Sequence, residues 1–125
     1  MMVLIEVSVG ELFDKITILR IKQNKLTDKD QLVNVAKELK ALEDKAFDNN
    51  KEVNLLVEEL QFINEQLWDI ENEKRQCEAD KDFGTKFVEL ARNVYIKNDE
   101  RAKIKKQINI ITKSNIVEEK DYTKY

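Results

Sequence analysis

The scarcity of residues that interrupt helices limits how this chain can fold more than any other feature. Its 125 residues include two glycines and no proline. Turns favour glycine, proline, asparagine and aspartate, and a β-rich fold of this length would need many of them. Asparagine and aspartate are present, but they fall at only a few positions that suit a break. The sequence therefore predicts an all-α fold, an antiparallel helical bundle that forms one domain over residues 1–125.

Polar residues that suit helix starts divide the chain into four predicted helices. Ser8 and Asn49 are each followed three residues later by a glutamate, which is the capping-box pattern. Asp28 is a further N-cap candidate, and residues 80–85 form the last break. The predicted helices span residues 9–26, 29–47, 50–80 and 85–113, and a polar tail follows from about residue 114.

The last two predicted helices are long for so small a chain. At 1.5 Å per residue each would span roughly 40–45 Å, and their apolar residues recur at the heptad-like spacing of a coiled coil. The first two helices are shorter and would leave part of this long hairpin uncovered, so we expect a second copy to cover it in a homo-oligomer. Alternatively, a strand at Val3–Val7 and the apolar pair Ile116–Val117 fold back as a cap, with a short β pairing of the termini.

Charge and composition exclude several classes of protein. The net charge is −3, and the charged residues, 38% of the chain, are of both signs and interspersed. This balance argues against a nucleic-acid partner, because such binding depends on neutralising phosphates. No segment approaches the roughly 20 apolar residues that cross a membrane, and the first residues lack the regions of a signal peptide. We expect a cytoplasmic protein with no membrane partner.

The residue types available restrict catalysis. The chain has no histidine, which excludes histidine-dependent triads and histidine metal sites. Cys77 is the only cysteine, so an internal disulfide is excluded as well. Any catalysis would depend on carboxylates, lysine, tyrosine or a bound metal.

Acidic motifs could support catalysis through a bound metal. Glu65, Asp69 and Glu73 are spaced four residues apart and could hold Mg²⁺, but a solvated helix face explains them at least as well. Helical nucleotide pyrophosphohydrolases use paired acidic motifs, and only Glu11-x-x-Asp14 matches that pattern here. The arginine pattern of helical chorismate mutases is not recognisable. The sequence therefore predicts no metal and no cofactor, and it leaves enzymatic activity undecided.

The arginines are the residues most indicative of a site. Lysine outnumbers arginine 18 to 4, and only arginine offers the planar fork that matches carboxylates and phosphates. Three of the four arginines lie between Asn64 and Arg101, together with the only tryptophan. We therefore predict that an anionic small molecule binds here. The predicted ligand-binding residues are Trp68, Glu71, Arg75, Arg92, Tyr95, Asn98 and Arg101.

The same residues allow a second interpretation. Arg101 falls on the apolar stripe of its helix in either heptad register, and Asn64, Glu71 and Asn98 do so in one register. A buried arginine needs a carboxylate or several acceptors, because an unpaired buried charge is costly. These residues would then form a buried polar network that fixes the register of the bundle.

Several sequence blocks match one known pattern. They are Leu4–Leu12, Asp14–Leu19, Leu67–Glu71, Asp82–Gly84, Phe87–Ala91, Asn98–Asp99, Arg101–Ala102 and Val117–Lys120. On these blocks the sequence resembles a bacterial and phage family described only as a domain of unknown function, and the resemblance extends over nearly the whole chain. In larger relatives this domain lies beside tetratricopeptide-repeat or glycosyltransferase-like modules, which implies a link to surface-glycan assembly. The resemblance supplies no catalytic residues.

Two kinds of function remain. The first is a self-associating assembly or adaptor module, linked to surface-glycan or phage-encoded metabolism. The second is a small-molecule-binding protein or enzyme with an arginine-lined pocket for a phosphate- or carboxylate-bearing ligand. We favour the first, because no motif meets the geometric requirements of catalysis.

Overall fold

The computed structural model describes residues 1–46 and 50–125. It contains four helices: α1 (Val9–Lys25), α2 (Lys29–Glu43), α3 (Lys51–Ala79) and α4 (Thr85–Ile111). The predicted all-α fold is confirmed, and most predicted helix bounds agree with the structure to within two residues. The exception is the end of α2, which was predicted at residue 47. The helix ends at Glu43, and a turn follows at residues 44–45.

Side-chain caps explain where the first three helices begin. The backbone N–H groups of Glu11 and Gln31 donate to Ser8 Oγ and Asp28 Oδ1, as the sequence predicts. Glu11 does not complete its capping box, because its carboxylate binds Lys105 instead. The predicted cap Asn49 lies outside the described residues, and Asn50 Oδ1 accepts from the Val53 N–H at the start of α3.

The predicted strand at Val3–Val7 is wrong. Residues 1–7 adopt neither helix nor strand, and the described residues contain no strand that could pair the termini. Val3, Leu4 and Ile5 are 74–78% exposed. A strand needs the backbone hydrogen bonds of a neighbour, and within this copy the tail lies along α4, where Lys106 binds Glu119.

The core surrounds α1. This helix packs against α2, α3 and α4, and α3 also packs against α4, whereas α2 packs only on α1 among the described helix pairs. The most deeply buried apolar side chains belong to three helices: Ile16, Val53, Leu60 and Ile108. Because α1 is central, it also buries the polar side chains of Asp14 and Thr17, and these form the base of the candidate site.

The two long helices extend beyond this core. α3 has 29 residues and α4 has 27, against 17 in α1 and 15 in α2. Between residues 65 and 103, only Cys77 and Leu90 are buried. In the described part of the chain, no helix has the length and apolar character needed to span a bilayer. The far half of α3 and α4 is therefore a thin, charged helix pair with little core of its own.

Candidate functional site

A buried carboxylate lies at the centre of the candidate site. The Asp14 side chain on α1 is 2% exposed, and the Arg101 side chain on α4 is 28% exposed. Arg101 Nε donates to Asp14 Oδ1 at 2.9 Å, and Arg101 Nη2 donates to Asp14 Oδ2 at 2.5 Å. This two-point geometry joins both oxygens of one carboxylate to one guanidinium, which is the strongest arrangement available to such a pair.

Neutral side chains complete the hydrogen bonding around Asp14. Asn64 Nδ2 on α3 donates to Asp14 Oδ1 and to Thr17 Oγ1, both at 2.9 Å. The Thr17 hydroxyl in turn donates to the backbone oxygen of Asp14 at 2.8 Å. The site thus joins α1, α3 and α4. A fully satisfied polar cluster of this kind fixes how neighbouring elements sit against one another.

Lys105 extends the cluster towards the tail. Its Nζ lies 2.8 Å from Glu11 Oε2, 3.5 Å from Glu118 Oε2 and 3.7 Å from Asp14 Oδ2. We refer to Glu11, Asp14, Thr17, Asn64, Arg101 and Lys105 together as the Asp14 network. Its two cations are each held by carboxylates, so the network itself carries little unbalanced positive charge.

The pKa of Asp14 reflects two opposing effects. Burial raises it, because desolvation disfavours the charged form. Hydrogen bonds from Arg101 and Asn64, together with the positive charges of Arg101 and Lys105, outweigh the burial. The pKa of Asp14 therefore lies below its ordinary value of 3.8, and this carboxylate is ionised at neutral pH.

The lowered pKa gives a testable dependence of stability on pH. A carboxylate whose pKa is lower in the folded state contributes stability above its unfolded pKa and loses it as the pH falls through the folded pKa. We expect the free energy of unfolding, measured with urea, to fall between about pH 6 and about pH 3 by less in Asp14→Asn than in the wild type. Glu38→Gln, which removes an exposed carboxylate on α2, is the control and should differ less from the wild type than Asp14→Asn does. Equal pH dependence in Asp14→Asn and the wild type would contradict this role.

Two cavities lie on either side of the Arg101 side chain. We call the first the tail cavity, of about 750 Å³; it lies between α1, α4 and residues 118–125. The second, the helix cavity, is about 470 Å³ and lies between α1, α3 and α4. Arg101 and Asn98 line both, and Arg101 Nη1 donates to Asn98 Oδ1 at 3.3 Å. The Asp14 network therefore supports the wall shared by the two cavities.

The predicted ligand-binding residues divide between these cavities. Five of the seven line the helix cavity: Trp68, Glu71, Arg75, Asn98 and Arg101. Tyr95 lines the tail cavity, where its ring meets that of Tyr125 edge-on at 5.3 Å. Arg92 lines neither and is exposed on α4. Arg92 therefore lies outside both cavities, and Leu90 is the buried residue on that turn of α4.

Sequence reasoning missed Asp14 as the carboxylate that binds Arg101. Asp14 entered only as half of an acidic motif, although it lies between Phe13 and Ile16 on the buried face of α1. A carboxylate on an apolar helix face is itself a sign of a buried partner, and this sign could have paired Asp14 with Arg101. In the described residues, no group of three or more acidic, cysteine or histidine side chains is placed to hold a metal ion.

The tail also forms part of the site. The Tyr125 hydroxyl donates to Asp99 Oδ2 at 2.6 Å, and this hydrogen bond raises the pKa of Tyr125 to about 12. Ser114 Oγ accepts from the Val9 N–H at the start of α1. Nothing in the composition of residues 114–125 indicates these contacts, because each joins positions far apart in the sequence.

Comparison with known proteins identifies a family. The model of a family of unknown function (DUF6165) matches residues 2–125, and this range includes all four helices and the tail. No curated protein and no solved structure matches the chain. The match confirms the resemblance carried by the sequence blocks to a family without an assigned function.

Proposed function

This chain belongs to the DUF6165 family, a family of unknown function, and we propose that it is a non-enzymatic assembly module that self-associates through the far half of α3 and α4. In this proposal the two helices form an antiparallel hairpin that turns at residues 80–84. Two copies pack their hairpins together. Surface-glycan assembly, the context implied by the resemblance, is the process such a module would serve.

The sparse core of the hairpin is the observation that carries the proposal. Between residues 65 and 103 the side chains of Cys77 and Leu90 alone are buried. Most helix stability in proteins comes from packing an apolar face against a neighbour, and isolated helices gain little from propensity. A pair of helices of this length with so few buried side chains gains stability when a further layer covers it.

Apolar side chains are available for that layer. Phe83, Val88 and Tyr95 are 53%, 51% and 44% exposed. Val88 and Tyr95 are seven residues apart on α4, so they lie on the same face of the helix. This spacing supplies the apolar seam that packing against another helix requires.

The charges of the hairpin favour a second copy as the covering layer. The far part of α3 is net acidic, with Asp69, Glu71, Glu73 and Glu78 against Lys74 and Arg75. The facing part of α4 is net basic, with Lys86, Arg92 and Lys97 against Glu89. A twofold axis would place the acidic helix of each copy against the basic helix of the other, so that each charge pairing occurs twice.

The test is the oligomeric state of the full chain. Light scattering and sedimentation equilibrium at micromolar concentration should give a multiple of the 14.8 kDa chain mass. Val88→Glu places a charge in the proposed seam and should weaken association by at least about tenfold. Val33→Glu changes a valine of similar exposure on α2 and should have no such effect. A wild-type protein of 14.8 kDa, or equal effects of the two variants, would reject the proposal.

A further inference from the structure

The helix cavity has the properties of a site for a small organic molecule. All its lining residues belong to α1, α3 and α4 of one copy, so it does not depend on self-association. Its volume of about 470 Å³ lies within the range of ligand sites. Helices hold binding groups more accurately than loops do, and the Asp14 network fixes these three helices relative to one another.

The inner part of the cavity is apolar. Ile18 and Ile21 line it from α1, and Leu67 and Trp68 line it from α3. Ile21 is 2% exposed, whereas Ile18, Leu67 and Trp68 are partly buried and remain accessible to a ligand. The flat indole ring of Trp68 favours stacking with another flat ring. The walls therefore fit an aromatic group rather than a strongly hydrated one.

Among the described residues, the polar groups that line the cavity include one available cation. Arg101 is compensated by Asp14, and the Glu71 carboxylate lies 3.3 Å from Lys74 Nζ. Arg75 is exposed, and within residues 1–46 and 50–125 no carboxylate forms an ion pair with it. Its guanidinium fork matches a planar carboxylate. A doubly charged phosphate fits less well, because Glu71 lies in the same cavity.

From these features we propose that the helix cavity binds a small aromatic carboxylate. Its ring lies against Trp68 between the apolar side chains of α1 and α3. Its carboxylate binds the exposed Arg75 at the rim. The inference adds a ligand site to the proposed assembly module. Its test is independent of the test of self-association.

The single tryptophan makes the binding directly observable. The ¹⁵N-labelled full chain has one indole N–H signal, from Trp68. We choose 2-naphthoate as the probe and 2-naphthamide as its neutral control of nearly the same shape. Titration with 2-naphthoate should shift the Trp68 indole signal until it saturates, and 2-naphthamide should bind at least about tenfold more weakly. Equal binding of the two probes, or the absence of a saturable shift with 2-naphthoate, would overturn the proposal.

Two arginine variants separate the proposed contact from a general charge effect. Arg75→Gln should weaken 2-naphthoate binding by about tenfold and leave 2-naphthamide binding unchanged. Arg20→Gln removes the same charge from α1, where Arg20 faces Glu43 of α2 at 3.8 Å and lines neither cavity. That variant should bind 2-naphthoate like the wild type. An equal loss in both variants would show that Arg75 is not the anchor of the carboxylate and would overturn the proposal.

Discussion

Asp14→Ala is expected to lower the free energy of unfolding by about 3 kcal/mol, because it leaves the Arg101 guanidinium without its carboxylate. The cost lies at the lower end of values for broken buried pairs, since the Arg101 side chain is 28% exposed and water reaches it. Asn64 Nδ2 also loses an acceptor, which adds to the cost because buried donors without partners are penalised. Urea unfolding followed by circular dichroism measures the difference.

Two further variants test whether the cost arises from the pair itself. Asp14→Ala combined with Arg101→Met removes both charges and should be less destabilised than the sum of the single variants by more than about 1 kcal/mol. Glu38→Ala removes an exposed carboxylate on α2 and should change stability by less than about 0.5 kcal/mol. If Asp14→Ala matched Glu38→Ala, the Asp14 network would not hold α1 against α4.

Arg101→Lys separates the contribution of the planar guanidinium group from that of the positive charge. Lysine keeps the positive charge, but it cannot reach both oxygens of Asp14 with the planar geometry of a guanidinium. One charge-assisted hydrogen bond would be lost. The free energy of unfolding of Arg101→Lys should therefore lie between those of the wild type and Asp14→Ala. Arg101 was predicted from the sequence as either a pocket residue or a buried network residue. The structure places it in the network and, at the same time, in the walls of both cavities.

Local physics explains why the helices could be predicted so closely. The N-caps Ser8 and Asp28 act through hydrogen bonds to residues three positions away, and such short-range patterns are visible in a sequence. The prediction of a strand at Val3–Val7 was wrong because strand formation depends on contacts that are not local. β-branched composition indicates a segment that can pair, but pairing also requires a neighbouring strand, which no local pattern specifies.

The candidate site depends on contacts that are distant in sequence. Arg101 could be found because it interrupts an apolar stripe, whereas its partner Asp14 lies 87 positions away. Arg92 is an arginine like Arg101, but it lies on the exposed side of α4 and not on the apolar stripe. Residue type and spacing therefore identify which side chains are unusual, but the packing of α1 between α3 and α4 decides which of them meet.

The other large effect is expected at Gly10, where α1 lies close against the backbone of α4. A Cβ atom added to Gly10 would lie 2.6 Å from the backbone oxygen of Lys105 and 3.0 Å from Asn109 Oδ1. Backbone atoms cannot move aside as a flexible side chain can, so Gly10→Ala would push the two helices apart. Overpacking of this kind costs up to about 3 kcal/mol, and we expect Gly10→Ala to lower the free energy of unfolding by about 2–3 kcal/mol.

Separating α1 from α4 would also break hydrogen bonds at the start of α1. The Gly10 N–H donates to Asn109 Oδ1 at 2.7 Å, and the Val9 N–H donates to Ser114 Oγ at 3.1 Å. Both are amides of the first helical turn, which have no partner within the helix. Moving α1 away from α4 would leave them unpaired, and it would also lengthen the ion pair between Glu11 and Lys105 within the Asp14 network.

The second glycine of the chain provides the matched control for Gly10→Ala. A Cβ atom on Gly84 would have one near neighbour, Asp82 Oδ1 at 3.3 Å, and its φ of −83° is accessible to alanine. Gly84→Ala should therefore cost less than about 1 kcal/mol, the usual effect of a poorer N-cap residue. Urea unfolding of both variants makes the comparison. Equal stability of the two variants would contradict the prediction. It would show that α1 and α4 can accommodate a Cβ atom at Gly10 and that this close contact does not support the Asp14 network.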